Sequence, residues 1–545
     1  MKWQTKEELS NLMKDLVKIN SISATANEIN VAKYIYNQLK ELPYYQNNPA
    51  HLRMVDVPGN IKRAAVVALY KKGPSPKTLL GVAHFDTVGV DEAGILKEMM
   101  FDPDLYTKTI EKLPLDKTSY DDLKSNNYIF GRGVMDMKMG DALLMQTLEY
   151  YMNDPRFENN LLFSFVGDEE VNSEGVLNAI PEVVKILKEF NLEAIACLDT
   201  EPDFASYPND DNKYMYLGTI GKLLAGFYVY GKETHVGESL QGLNTHLVLA
   251  NIIKRMELNM DFSEEVNGEM SLPPTSLKLE DHKRLYNVQT PISGHIYYNI
   301  PTYQNSPKII MDKIKVIAQD ALKEAYDYVL KTNQKFKEIS STPMEALQLH
   351  PEVLTYHEFY EETLKEYPNL DDLLSQKIQV LKRHQLDERD LTIELLSYLQ
   401  ALSSNKNPKV IVFFAPPYYP HVSLDKNNIA HQKLIEASND SIAFAKEQFN
   451  IDIKQVYYFQ GLCDLSYFAL QDAQDVLAYL KPNMPTLNKT YALPLNDIAQ
   501  INVPVINYGP HGKDPHKYTE RLELNYSLNV VPVVLKHLIS NIFKI

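Results

Sequence analysis

The sequence predicts an α/β fold in which a mixed sheet flanked by helices is interrupted by an inserted α+β unit. Three observations lead there. Short apolar runs alternate with segments of helical periodicity through the first part of the chain, the pattern changes near residue 215, and it returns after about residue 425. At 545 residues the chain is longer than one hydrophobic core usually supports, so two domains are expected: 1–215 with 425–545, and an insertion over 216–424.

From Thr5 to Leu42 apolar residues recur at helical spacing in two stretches broken at residues 21–25. AAVVALY (64–70), TLLGVAHF (78–85), LLFSFVG (161–167) and AIACLD (194–199) read as buried strands. Residues 139–151 and 175–190 read as helices. Within the insertion, 222–231 has strand character and 243–258 helical character, and 307–333 reads as a long helix. Residues 345–400 form a charged, helix-prone extension with few glycines, before KVIVFFAPPYYP (409–420) resumes strand character. A helix over 428–448 and strands near 453–459 and 503–509 restore the first pattern. No internal repeat or low-complexity segment interrupts it.

The composition, 44% hydrophobic and 23% charged, is that of a soluble globular protein. A formal charge of −16 argues against nucleic-acid binding, which needs a basic surface. Two cysteines, Cys197 and Cys463, cannot build a disulfide framework and fit a reducing compartment. The amino terminus lacks an apolar signal core, and no run of about 18 apolar residues suggests a membrane span. The expected location is the cytoplasm.

Chemistry-bearing residues gather at the ends of the apolar runs. His84 ends one such run, and Asp86 follows two residues later, where it could accept the free ring N–H and fix the tautomer. Gly131-Arg132-Gly133 precedes Asp136, which suggests a tight backbone presenting that acid. Asp168-Glu169-Glu170 follows LLFSFVG directly; such a run is either solvated or gathered around cations. Asp199 closes AIACLD, with Glu201 as its rival, and His516 stands in a Gly/Pro-rich loop with His511 as its rival. Acids and a histidine at the ends of buried strands sit where α/β sheets bind ligands. Nitrogen and oxygen donors of this kind suit borderline divalent metals. No G-x-S-x-G elbow stands out, and neither cysteine has an adjacent histidine-bearing motif, which disfavours a serine or cysteine hydrolase.

In order and local wording, these motifs resemble those of the M20 family of metallopeptidases and amidohydrolases. AHFDTV and GRGVMDMKMG resemble the family's first two metal motifs, and GDEEVNSEG its paired-glutamate motif. YFQGLCDLSYF, with Asp464, resembles its glycine-rich turn, and YGPHGKDPHKYTE its terminal histidine motif. Through DTEPD, QTPISGHIYYN and FFAPPYYPHV the chain looks most like the arginine-utilization (RocB-type) branch. Asn172 departs from the glycine common at that position.

The resemblance implies a zinc-hydrolase catalytic domain with a lid, and two Zn2+ ions (Mn2+ or Co2+ as alternatives). Asp136 would bridge them, with His84 and Asp199 completing one site and Glu170 and His516 the other. Glu169 would be the general base, and Asp86 would orient His84. Asp199 is preferred to Glu201 because it ends the strand. GKETHVGESLQGLNTH resembles the lid motif that brings a histidine, here His235, to the scissile carbonyl, with Asn244 later in it. The implied substrate is a small peptide or N-acyl amino acid, in arginine or amino-acid catabolism, and pairing into a homodimer through the lid is a family habit. The alternative is a non-catalytic binding protein of the same fold.

Overall fold

A computed structural model describes residues 1–203, 207, 210–340, 347–384, 386–459 and 461–544. They form two compact units: residues 1–220, 420–471 and 494–545, and residues 221–419 with 472–493. Residues 472–493, which the sequence pattern gives to the first unit, belong to the second. There Asp475 accepts the Ser306 hydroxyl, and Asn483 accepts the backbone N–H of His357 at 3.0 Å.

The first unit is built on an eight-stranded mixed sheet. In chain order its strands are β1 (Leu52–Val57), β2 (Arg63–Tyr70), β3 (Lys77–His84), β4 (Asn160–Val166), β5 (Glu193–Asp199), β6 (Lys213–Tyr216), β7 (Ile453–Val456) and β8 (Val505–Asn507). Their spatial order is β1-β2-β4-β3-β5-β8-β6-β7. β3 lies parallel to both β4 and β5, and β5 is parallel to β8, so consecutive carboxyl ends open along one edge. β2, β3 and β4 are almost wholly buried, which is why they read as continuous apolar runs and not as alternating ones. β1 and β6 escape the sequence reading for physical reasons. β1 is an edge strand with alternating burial and charged Arg53 and Asp56, and β6 is only four residues long.

Helices α1 (Lys6–Val17), α2 (Glu28–Lys40), α3 (Lys138–Asn153), α4 (Glu174–Glu189), α5 (Ile429–Phe449) and α6 (Val531–Ile542) flank this sheet. Thr5 and Glu8 close α1 with reciprocal side-chain to backbone bonds. α3 is buried on nearly every side, and its Leu143, Leu144 and Leu148 join Val534 and Leu538 of α6 in one apolar core. α4 starts close against the end of β4. The Gly175 N–H donates to Gly167 O at 3.1 Å, and a Cβ on Gly175 would overlap the Gly167 backbone.

The second unit holds a five-stranded sheet in the order 275–281, 293–302, 221–230, 409–419, 352–355; the last pair is parallel and the others antiparallel. The helices Thr245–Met256 and Pro307–Ile339 pack on each other. The extension read as helix-prone contains the strand Glu352–Thr355 and three helices, Tyr356–Glu366, Leu370–Leu381 and Glu388–Leu402. Residues 345, 346 and 385 of that extension lie outside the described residues. Phe359, Leu374 and Leu396 of these helices cover Tyr228, Ile411 and Phe413 of the sheet. No described helix is long and apolar enough to cross a membrane.

Gly175→Ala should lower the stability of the first unit by about 1–3 kcal/mol, the scale of overpacking. A shifted urea midpoint at unchanged slope would register it. An unchanged midpoint would mean that the close contact with Gly167 is not required.

Candidate metal centre

The carboxyl ends of β3, β4 and β5 deliver the site. β3 ends at His84, which is only 2% exposed. Its Nε2 lies 3.2 Å from Asp136 Oδ1, 3.4 Å from Glu201 Oε1 and 3.8 Å from Glu169 Oε2. Its Nδ1 faces Asp86, 3.3 Å from the backbone oxygen and 3.4 Å from the carboxylate. Asp86 is fully buried, and its carboxylate accepts the Ser23 hydroxyl at 2.6 Å and the backbone N–H groups of Glu169 and Glu170 at 3.1 and 3.3 Å. One carboxylate therefore orients the imidazole and also fixes the segment that carries the glutamate pair.

The three acids after β4 separate by role. Asp168 has a left-handed backbone (φ 68°), and its side chain turns to Arg63 at 2.8 Å and to the Glu174 N–H at 3.2 Å. Glu169 and Glu170 are left to face His84 and His516. Asp136 follows a turn in which Gly133 has φ 77°, and a Cβ there would lie 2.8 Å from Thr87 Cγ2. The second oxygen of Asp136 lies 3.2 Å from His516 Nε2, and Glu170 Oε2 lies 3.0 Å from the same nitrogen.

His516 sits in the last loop of the unit, in a left-handed conformation (φ 65°). Arg132 fastens that loop. Buried to 1% exposure, it donates to the His516 carbonyl at 3.2 Å, to the Gly89 carbonyl at 3.2 Å and to Glu520 at 2.6 Å, and it also pairs with Glu92. Nothing in the sequence marks it beyond its place between two glycines. His511, the rival of His516, is buried elsewhere and paired with Asp203.

At the end of β5 the geometry favours Glu201 over the expected Asp199 as the neighbour of His84. Asp199 accepts the Thr200 N–H at 2.7 Å, whereas Glu201, two residues beyond the strand, approaches His84. The longer glutamate side chain covers a gap that the strand-end aspartate does not. Asp464, in the glycine-rich turn, is buried beside these acids; Gln460 of that motif lies outside the described residues. In the second unit, His235 is exposed and its Nδ1 accepts the Gly237 N–H at 3.1 Å. Asn244 caps the helix Thr245–Met256 through the His246 N–H.

The electrostatics are those of a site short of positive charge. Burial, with Glu170, Asp464 and Glu201 nearby, pushes Glu169 well above the usual carboxylate range. Burial likewise raises Glu201 to about 7, and lifts Asp199 and Asp464. Hydrogen bonds to Asp136 and Glu170 push His516 up to about 10. Burial disfavours a charged His84, but Glu201, Asp136 and Asp86 outweigh it and raise its pKa. Ligand atoms of His84, Asp136 and Glu170 lie within 4.8 Å of one another, close enough to hold a cation. One imidazole with carboxylates is the donor chemistry of zinc and its neighbours, so the residues fit such an ion.

Fold and site together define a class, the metal-dependent hydrolases built on a mixed α/β sheet. Residues 83–538 match the description Peptidase family M20/M25/M40, and the chain belongs to that family. It is 37% identical to the uncharacterized protein YqjN of Bacillus subtilis, over 100% of this chain and 98% of that one. Identity to protein RocB of Bacillus subtilis is 30%, over 97% and 94% of the two chains. Among solved structures, an M20 family metallo-carboxypeptidase from Sulfolobus solfataricus shares the fold at a TM-score of 0.54 and 12% identity, over 98% and 99% of the chains.

Glu201→Gln should weaken metal retention by at least about 10-fold, the scale on which even outer-shell partners act, with Asp199→Asn much closer to the parent. Elemental analysis after dialysis against graded chelator would rank them. The opposite ranking would return the ligand role to Asp199.

Proposed function

We propose that this protein hydrolyses an amide bond in a small substrate, a short peptide or an N-acyl amino acid, using two divalent cations. Zinc is the first choice, with manganese and cobalt as alternatives. His84 and Glu201 would hold one ion, Glu170 and His516 the other, and Asp136 would be shared. The observation that carries this reading is the placement of Asp136, whose two oxygens each lie 3.2 Å from a different imidazole. When bound, such ions lower the proton affinity of water and polarise a carbonyl group.

The chain's own residues supply the rest. Glu169 is 8% exposed and its carboxylate lies 3.8 Å from His84. As general base it takes a proton from water as attack on the amide carbon begins, and returns it to the departing amine. Asp86 keeps the His84 ring in one orientation and anchors Glu169 and Glu170 by their backbone N–H groups. By resemblance to the family's lid motif, His235 would serve to stabilise the oxyanion formed from the substrate carbonyl.

A role in arginine or broader amino-acid catabolism is the finer part of this proposal. It is supported by the DTEPD, QTPISGHIYYN and FFAPPYYPHV segments and by the 30% identity to protein RocB along nearly the whole chain.

Glu169→Gln should keep its metal and lose at least about 100-fold in turnover on whichever member of a dipeptide and N-acyl amino-acid panel the parent cleaves. A variant cleaving at the parental rate would remove Glu169 from the mechanism. Metal binding by the parent without turnover of any panel member would favour the non-catalytic reading.

A further inference from the structure

The second unit contains a cleft of about 600 Å³ that the proposed chemistry does not use. Its floor is a sheet face carrying Tyr228, Tyr230 and His295, with His282 just past the end of the strand 275–281. Its wall is the helix Glu388–Leu402, which turns Asp390, Glu394, Ser397 and Ala401 toward it at helical spacing. The volume falls within the range of small-molecule sites.

Two atoms in its lining stand without a hydrogen-bond partner among the described residues, His295 Nε2 and Gln400 Oε1. Their residues are 2% and 3% exposed. A buried polar atom left unpaired carries a desolvation cost, which a ligand can recover. His282 Nε2 lies 2.9 Å from His295 Nδ1, and its Nδ1 lies 2.8 Å from Ser293 Oγ. Burial holds His295 down at about 4 and His282 below its ordinary value, so at neutral pH neither ring repels a cation.

The lysines of the lining are already engaged. Lys278 pairs with Asp390 at 2.6 Å and Glu280 at 3.1 Å, Lys283 donates to the carbonyls of Asn287 and Gln289, and Lys406 to those of Gln400 and Ala401. Glu394, by contrast, has only loose ion pairs among the described residues, 3.9 Å to Arg284 and 3.5 Å to Lys377. What remains open is a carboxylate, an amide oxygen, the His295 ring nitrogen and two tyrosine rings. Acceptors beside π faces select N–H donors that carry positive charge. Glu394 and Gln400 are six positions apart, about 9 Å along the helix, too far for one nitrogen to satisfy both easily.

We propose that this cleft binds a small aliphatic compound with nitrogen donors at both ends, a diamine or a basic amino acid, one ammonium on Glu394 and the second N–H donor on Gln400 Oε1. The site is assigned to residues of the second unit alone and does not depend on the metal chemistry of the first.

Calorimetric titration of the full-length, metal-loaded protein with putrescine and with L-lysine tests this, and n-butylamine serves as the probe lacking a second nitrogen. Putrescine or L-lysine should bind saturably, at least about 10-fold more tightly than n-butylamine, the scale of one charged hydrogen bond. Tighter binding of L-lysine would identify the amino acid, with Arg284 at the rim receiving its carboxylate; tighter binding of putrescine would identify the diamine. Glu394→Gln, at a partly exposed position, and Gln400→Leu should each weaken binding by a similar factor. Absence of saturable binding by both probes up to about 10 mM, or parental affinity in either variant, would overturn the assignment.

Discussion

Carboxylates buried without matching cations are the constraint around which the first unit is arranged. Asp136, Glu169, Glu170, Asp199, Glu201 and Asp464 converge on only two imidazoles, and burial with mutual repulsion drives most of these acids toward protonation. Asp136 is the exception. The two histidines overcome its burial and hold it well below the ordinary carboxylate range. A protein gains nothing in stability from such a cluster alone, because each unpaired buried charge carries a desolvation cost. The arrangement makes physical sense as a receptacle for divalent cations, with binding free energy offsetting what folding gives up.

The surrounding shell separates the acids that face the cluster from those that position it. Asp168 and Glu174 are occupied by Arg63, and Glu520 and Glu92 by Arg132, so the arginines hold carboxylates apart from the ligand set. Asp86 accepts donors from three segments at once, Ser23, His84 and the Glu169–Glu170 backbone. Replacing it would therefore disturb ring orientation and loop position together, which differs in kind from removing a ligand.

Much of this was legible in the chain itself. Buried strands announce themselves as continuous apolar runs, and His84 and the acid run 168–170 stand where such runs stop, although family wording was needed to single out Glu170. Family wording was needed to choose His516 over His511, since both occupy the same Gly/Pro loop and only folding pairs His511 with Asp203. Wording and strand register together still favoured Asp199 over Glu201. The strand ends at Asp199, and the carboxylate that approaches His84 belongs to Glu201, two residues beyond it. The edge strand β1 and the short β6 were hidden because neither carries a long apolar run.

Arg132 shows why some of the site had to stay hidden. Its significance lies in partners distant in sequence, the His516 carbonyl and Glu520 near the carboxyl terminus and Gly89 and Glu92 near the first motif. A guanidinium with five donors in a fixed fork can tie such segments together where a lysine could not. The same residue lies four positions before Asp136 and is anchored by the loop that presents His516, so Asp136 and His516 share one mechanical support. Holding His516 beside Asp136 therefore rests on a guanidinium whose carbonyl and carboxylate partners come from segments far apart in the sequence.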